Sequence, residues 1–168
     1  DNWNALNILS TDASAVGSYD LGIFSSNDGS NKTLKKIEDG DVEVIFLLGQ
    51  DNLNIKKSNE FIIYIGSHGD NGADMADLIL PGAAYTEQDG YFTNLEGKLQ
   101  KAYKASYPPG EAKEDWLIIN ELSSILGNPL FNNKDELLKS MLNHLNNQNI
   151  KNFEVPKYNL NDEKILVE

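Results

Sequence analysis

Apolar positions fall along this chain in two rhythms. Residues 3–16 place Trp3, Leu6, Leu9, Ala13 and Val16 at helical spacing, with Asp1 or Asn2 to cap the start and Gly17 to end it. That pattern predicts an amphipathic helix whose apolar face packs on a sheet. Residues 18–40 are rich in Gly, Ser, Asn and Asp and read as loop, with Leu34 and Ile37 on one helical turn. The rhythm then changes. Val42 to Leu48 is an apolar, β-branched run between Gly40-Asp41 and Gly49, which predicts a buried strand. Phe61 to Ile65, closed by Gly66, predicts a second strand, and Leu78 to Leu80, stopped by Pro81, a third. The dozen or so residues between the first two leave room for a short crossover helix, as parallel neighbours require. The expected fold is α/β: a parallel sheet flanked by helices, with a small hairpin and C-terminal helices.

The hairpin is the densest signal. After Pro81, the small residues Gly82, Ala83 and Ala84 mark a corner where backbone packs closely. Tyr91–Thr93 and Lys98–Gln100 flank Asn94-Leu95-Glu96-Gly97, a four-residue loop with glycine where φ must be positive. Beyond Pro109, residues 111–126 predict a helix with Trp116, Ile119, Leu122, Ile125 and Leu126 buried, ended by Gly127. Another helix is predicted over Lys134–Asn147, with Asn133 and Glu136 spaced as a capping box and Leu137, Leu138, Met141 and Leu145 as its apolar stripe. Residues 1–148 read as one domain, and 149–168 as a weakly ordered tail.

Composition narrows the chemistry. The 168 residues contain no cysteine, so no thiolate nucleophile and no cysteine-held iron–sulfur cluster can come from this sequence. All fourteen basic residues are lysines, and the net charge is −12. Lacking arginine's bidentate fork and repelling polyanions, the chain is not expected to bind nucleic acid. No run of eighteen apolar residues occurs, so direct membrane insertion is not expected.

One segment lies where α/β sheets bind ligands. Gly66-Ser67-His68-Gly69-Asp70-Asn71-Gly72 follows the carboxyl end of the second strand, making Gly66, His68, Gly69 and Asp70 the cofactor-binding candidates. The spacing is not that of a dinucleotide fingerprint, so a tight structural loop is the preferred reading and no cofactor-binding residue is assigned. His68, Asp70, Asp74 and Asp77 match neither a calcium loop nor a zinc motif. His144, near a helix end, suits the helix dipole. Glu87 and Glu96 have no nucleophile or base partner, so no catalytic residue is assigned. They are expected to accept backbone N–H groups at the proline corner and the hairpin turn.

Ala76-Asp77-Leu78-Ile79-Leu80-Pro81, followed by Glu87, Gly90, Asn94, Glu96-Gly97-Lys98 and Gln100, resembles the signature of molybdopterin oxidoreductases. Tyr64–Asp70 before it and Pro108–Trp116 after it, with Asn2–Asn7 and Leu21-Gly22, resemble one branch: the large iron–sulfur subunit of proton-pumping NADH:quinone oxidoreductase, respiratory complex I. The resemblance covers about residues 2–127. It implies a C-terminal fragment of a longer chain, acting as scaffold and interface without its own redox centre. It also implies [2Fe-2S] and [4Fe-4S] clusters in the parent subunit's N-terminal part, and other subunits of the peripheral arm as partners. The implied location is the cytoplasmic side of a bacterial membrane, or the matrix side of the mitochondrial inner membrane. Lys98 stands where the family carries Arg, which reduces a bidentate contact to a point charge. A true molybdopterin enzyme and an α/β nucleotide-binding module are the alternatives.

Overall fold

A computed structural model describes residues 12–23, 29–53 and 55–147. Its elements are α1 (Ala15–Asp20), α2 (Gly29–Glu38), β1 (Val44–Leu48), β2 (Phe61–Gly66), α3 (Asn71–Met75), β3 (Leu78–Pro81), β4 (Gly90–Thr93), β5 (Leu99–Ala102), α4 (Asp115–Ile125) and α5 (Lys134–Asn147). The first three strands form a parallel sheet in the order β1-β2-β3, and β4 and β5 form an antiparallel hairpin. The predicted α/β class is the observed one.

The core lies on one face of the parallel sheet. Ile45 and Leu47 of β1 and Ile62 and Tyr64 of β2 are buried with Ile37 and Ile55, and Leu34, Met75 and Ala76 pack around them. α2 therefore replaces the loop expected over 18–40. A helix that sets Leu34 and Ile37 one turn apart can lay both on the sheet. The crossover helix expected between β1 and β2 is absent among the described residues. An extended connection takes its place: Ile55 plugs the core, and the buried Glu60 carboxylate accepts the Ser58 N–H at 3.0 Å.

The opposite face separates β2 from its neighbours. Ile63 and Ile65 of β2 are buried, whereas Val44, Phe46 and Leu48 of β1 remain 43–49% exposed. β1 is thus an edge strand with one apolar face open, not the fully buried strand its composition predicts. β3 is the other edge, and Leu80 on it is half-buried. Asp77 ties the start of β3 to β2. Its carboxylate accepts the Ile62 N–H at 2.9 Å and the Lys57 ammonium at 2.6 Å.

Around the hairpin, two sequence boundaries shift. Asn94 N–H donates to the Lys98 carbonyl, so the ladder runs one pair further and the loop has three residues, 95–97. Gly97 sits at φ +78°, as the turn requires. Gly17 does not end a helix; it lies inside α1, where a Cβ would stand 3.0 Å from Thr93 Oγ1. The adjacent Ser14 hydroxyl accepts the Thr93 N–H at 3.0 Å, fastening α1 to β4. The part of the predicted first helix over residues 3–11, and the predicted 149–168 tail, lie outside the described residues.

α4 begins at Asp115, not at 111, because residues 111–114 turn to bond the sheet end: Ala83 N–H donates to the Lys113 carbonyl and Lys113 N–H to that of Pro81. Gly127, at φ +80°, closes α4 with bonds from Gly127 N–H to Ser124 and from Asn128 N–H to Ser123, a Schellman motif. Ile125 and Leu126, expected on the buried face, are 83% and 69% exposed. They belong to the final turn, which runs past the packed part of the helix. α5 starts as a shifted capping box. Asn133 Oδ1 accepts the Glu136 N–H at 2.9 Å, but the Glu136 carboxylate reaches back to Asn132 N–H, one residue earlier than the usual pairing.

Candidate functional site

The carboxyl end of the parallel sheet gathers the predicted loop and two residues that the sequence did not single out. Tyr64 is 1% exposed on the central strand. Its hydroxyl lies 3.1 Å from Asp51 Oδ2 and 3.0 Å from the His68 carbonyl oxygen. Asp51, just past the end of β1, also accepts the Gly72 N–H at 3.1 Å. Three segments, 51, 64 and 68–72, are therefore pinned to one phenol and one carboxylate. Burial pushes the Tyr64 hydroxyl pKa up, and the Asp51 carboxylate adds to the shift.

The glycines of the loop serve this arrangement. A Cβ at Gly72 would stand 2.5 Å from the Gln50 carbonyl oxygen and 2.7 Å from the Tyr64 ring, and a Cβ at Gly66 would strike the same ring. At Gly69 nothing lies within 4 Å. His68, Gly69 and Asp70 are exposed, and the His68 ring meets the Ser67 hydroxyl at 2.9 Å. Asp70 precedes α3, a helix of five residues, and makes no side-chain cap. The candidates Gly66, His68, Gly69 and Asp70 thus share one loop. Among the described residues no three His, Asp or Glu side chains form a metal-sized cluster.

The corner after β3 is built differently. Glu87 carboxylate accepts the Ala84 N–H at 3.0 Å while Glu87 N–H returns to the Ala84 carbonyl, the backbone role expected of it. Glu96 does not share that role: Asn94 Oδ1 takes both turn donors, Glu96 N–H at 3.1 Å and Lys98 N–H at 2.8 Å. At Gly82 the space of a Cβ is taken by Asp115 Oδ1, 2.6 Å away. Asp115 is met by Gln88 Nε2 at 3.4 Å, and burial pushes its carboxyl pKa up. Beside it, Glu114 accepts the Lys134 ammonium and the Trp116 indole N–H, the latter at 2.9 Å, joining α4 to α5. A cavity of about 590 Å³ opens here, walled by Tyr91, Trp116, Leu137, Leu138 and Met141, with Asp115 and His144 at its margin. The sequence places Glu114 and Asp115 only in the first turns of a helix, where acidic groups suit the dipole, and nothing in it marks a cavity wall.

Residues 1–125 match the molybdopterin oxidoreductase family, and the chain belongs to it. Within that family it is similar to one branch. It is 50% identical over 131 residues to the NADH-ubiquinone oxidoreductase 75 kDa subunit of Reclinomonas americana, covering 77% of this chain and 18% of the relative. It is 50% identical over 127 residues to an NADH-quinone oxidoreductase subunit of Rickettsia bellii, covering 75% and 17%. The mitochondrial NADH-ubiquinone oxidoreductase 78 kDa subunit of Candida albicans is 43% identical over 126 residues, covering 74% and 16%. The chain thus spans less than a fifth of the length of the curated relatives it matches. The branch resemblance read over about residues 2–127 is borne out.

The family name implies a pterin cofactor, and the glycines at the sheet end do not form one continuous open cradle for it. Close approach of a pyrophosphate to a glycine loop needs the space above the glycines to be free. At Gly66 and Gly72 the Cβ positions are taken by the Tyr64 ring and the Gln50 carbonyl, while at Gly69 nothing lies within 4 Å. Nor can this sequence hold an iron–sulfur cluster through thiolates, having no cysteine.

Proposed function

We propose that this chain is a C-terminal scaffold and interface region of the iron–sulfur subunit of proton-translocating NADH:quinone oxidoreductase. In this reading it supports electron transfer from NADH to quinone without a redox centre of its own. The clusters sit in the N-terminal part of the parent subunit, the partners are other subunits of the peripheral arm, and the assembly lies at the membrane surface on the cytoplasmic or matrix side. No helix among the described residues is long and apolar enough to cross a membrane.

The observation that carries the scaffold role is the lock at the sheet end. Where a ligand-binding member of an α/β family would leave room, Tyr64 and Asp51 lock three segments together. The test is made on the assembled complex. His68→Ala and Asp70→Asn are introduced into the full parent subunit, and NADH-to-quinone turnover is measured per assembled particle. Turnover near that of the unaltered complex is expected. Its loss in fully assembled, thermally normal particles would make the loop a functional site and overturn the reading.

A further inference from the structure

Asn71-Gly72 is the sole Asn-Gly pair in the sequence. In an open chain such a pair modifies itself. The glycine backbone nitrogen, on losing its proton, attacks the carbonyl carbon of the asparagine side chain and closes a five-membered succinimide. The bond to the side-chain amide nitrogen breaks, and ammonia leaves. Water then opens the ring at either carbonyl and gives aspartate or isoaspartate. The net change is asparagine plus water to a carboxylate plus ammonium, with no oxidant and no cofactor. Glycine makes the step fast, because it has no Cβ to shield its nitrogen.

The fold obstructs that reaction at each of its atoms. Asn71 is exposed to water, but it opens α3 with helical backbone angles. Ring closure needs its ψ turned far outside that range. Gly72 is buried, and its N–H donates to Asp51 Oδ1 at 3.1 Å. That bond holds the proton which must leave, and the carboxylate disfavours an amide anion beside it. Nor can the peptide turn in place, since Gly72 lies too close to the Gln50 carbonyl and the Tyr64 ring to admit even a Cβ. The other Asp51 oxygen lies 3.1 Å from the Tyr64 hydroxyl, so the same lock holds the carboxylate in position.

We propose that Asn71 is a spontaneous deamidation site that the Tyr64–Asp51 lock keeps shut, so that only molecules with an open lock are modified. The inference stands on these residues and not on the proposed function. The locked and modified states exclude each other. Isoaspartate carries the main chain through its side-chain carbon and lengthens the backbone by one atom before the Gly72 nitrogen. The Gly72 N–H then no longer meets Asp51 where it did, and the loop cannot reclose. Isoaspartate at position 71 therefore records how often the sheet end has opened.

The test ages the full-length protein at mildly alkaline pH and follows position 71 by peptide mass spectrometry. A synthetic peptide of residues 66–77 supplies the open-chain rate. Asn71 in the folded protein should react about a hundredfold or more slowly than in the peptide, because the rate scales with the open fraction. Asp51→Ala frees the Gly72 N–H, and Tyr64→Phe loosens Asp51. Each should raise the rate about tenfold, the worth of one hydrogen bond in the opening equilibrium. Gly97→Val strains the turn between β4 and β5 instead, and should leave the rate near that of the unaltered protein. A folded-state rate equal to the peptide's would overturn the proposal. So would rates unchanged in both lock variants, or raised as much by Gly97→Val, since the lock would then not be the gate. Should Asp51→Ala not accumulate in folded form, Tyr64→Phe, which keeps the ring and its packing, decides the comparison with Gly97→Val.

Discussion

The loop after β2 and the corner after β3 start from the same ingredients and finish in different ways. Each leaves the carboxyl end of a parallel strand through a glycine whose missing Cβ another group exploits. After β2 that group is, at Gly66, the ring of Tyr64 from the same strand, and at Gly72 further along the loop the same ring with the backbone carbonyl of Gln50. After β3 it is the carboxylate of Asp115, the first residue of α4. The first closure is stiff, since it is made of an aromatic ring and main chain. The second is made first of the end of a side chain that can turn away, with the Gly66 backbone nitrogen behind it at 3.2 Å. A glycine at a strand's carboxyl end therefore signals close approach without saying what approaches, and the nature of that group decides both rigidity and the room left for a ligand.

The contrast is sharpest in alanine scanning of the glycines. Gly72→Ala drives a methyl group into the Gln50 carbonyl, which can move only with the backbone. The expected loss is about 1–3 kcal/mol, or about 2–10 °C in Tm for a chain of this size. Gly82→Ala meets Asp115 Oδ1, which can swing aside at the expense of its contact with Gln88, so a smaller drop is expected. Gly69→Ala meets nothing within 4 Å and should leave Tm unchanged. Thermal unfolding of the three variants checks the order. Equal losses at Gly72 and Gly82 would erase the distinction between the two closures.

Next in size are two changes beyond β2. Gly97→Val places a β-branched residue at φ +78° with open space around its Cβ, so the cost is backbone strain alone, about 1–2 kcal/mol. Gly97→Asn should recover most of it, since Asn tolerates that region. Leu80→Ala should cost less than the roughly 2–5 kcal/mol typical of a buried leucine, because Leu80 is half-buried on an edge strand. Denaturant midpoints of the three variants decide this. A full core-sized loss at Leu80 would mean that β3 is covered in solution.

These cases show what the sequence could and could not say. Gly97 was legible because a left-handed turn is a local requirement of four or five residues. The three parallel strands were legible because each is a compact apolar run. The openness of β1 was not, because Val44, Phe46 and Leu48 have the composition of a buried strand, and whether a face of the sheet is covered is decided by tertiary packing. α2 was missed because Gly, Ser and Asn at its start read as loop, while the sheet supplies the stabilisation that its propensity lacks. At the candidate site, the loop's glycines could be read but not their purpose. Asp51 and Tyr64 meet across thirteen residues with no motif to announce them.

A pH titration adds a weaker effect that also separates the two regions. The Ile62 N–H, and after it Lys57, hold the Asp77 carboxyl below the usual carboxylate range. A depressed folded-state pKa contributes stability above the group's ordinary pKa, and that stability is lost as pH falls through the folded value. The β2–β3 link is thus expected to weaken on acidification, and Asp77→Asn should flatten the acid limb of Tm against pH. Tyr64 has the opposite sign. Its raised pKa contributes stability below the ordinary tyrosine value, lost as pH climbs through the folded one, so Tyr64→Phe should flatten the alkaline limb. An acid limb identical in Asp77→Asn and the unaltered chain would show that the link carries no pH-dependent stability.

The smallest effect is expected at His68. Its contribution to the sheet end is made by its backbone, because the Tyr64 hydroxyl donates to the His68 carbonyl and not to the ring. The ring is exposed, and it meets the hydroxyl of the neighbouring Ser67, which is exposed too. His68→Ala keeps the carbonyl, the Tyr64–Asp51 lock and the loop glycines, so its stability should lie within about 0.5 kcal/mol of the unaltered chain. Tyr64→Phe, by contrast, removes the one phenol proton that Asp51 Oδ2 and the His68 carbonyl share, for about 1–3 kcal/mol. Thermal unfolding of the pair separates backbone from side chain at one contact. If His68→Ala destabilises as much as Tyr64→Phe, the imidazole is holding the loop, and the lock is not the Tyr64–Asp51 pair alone.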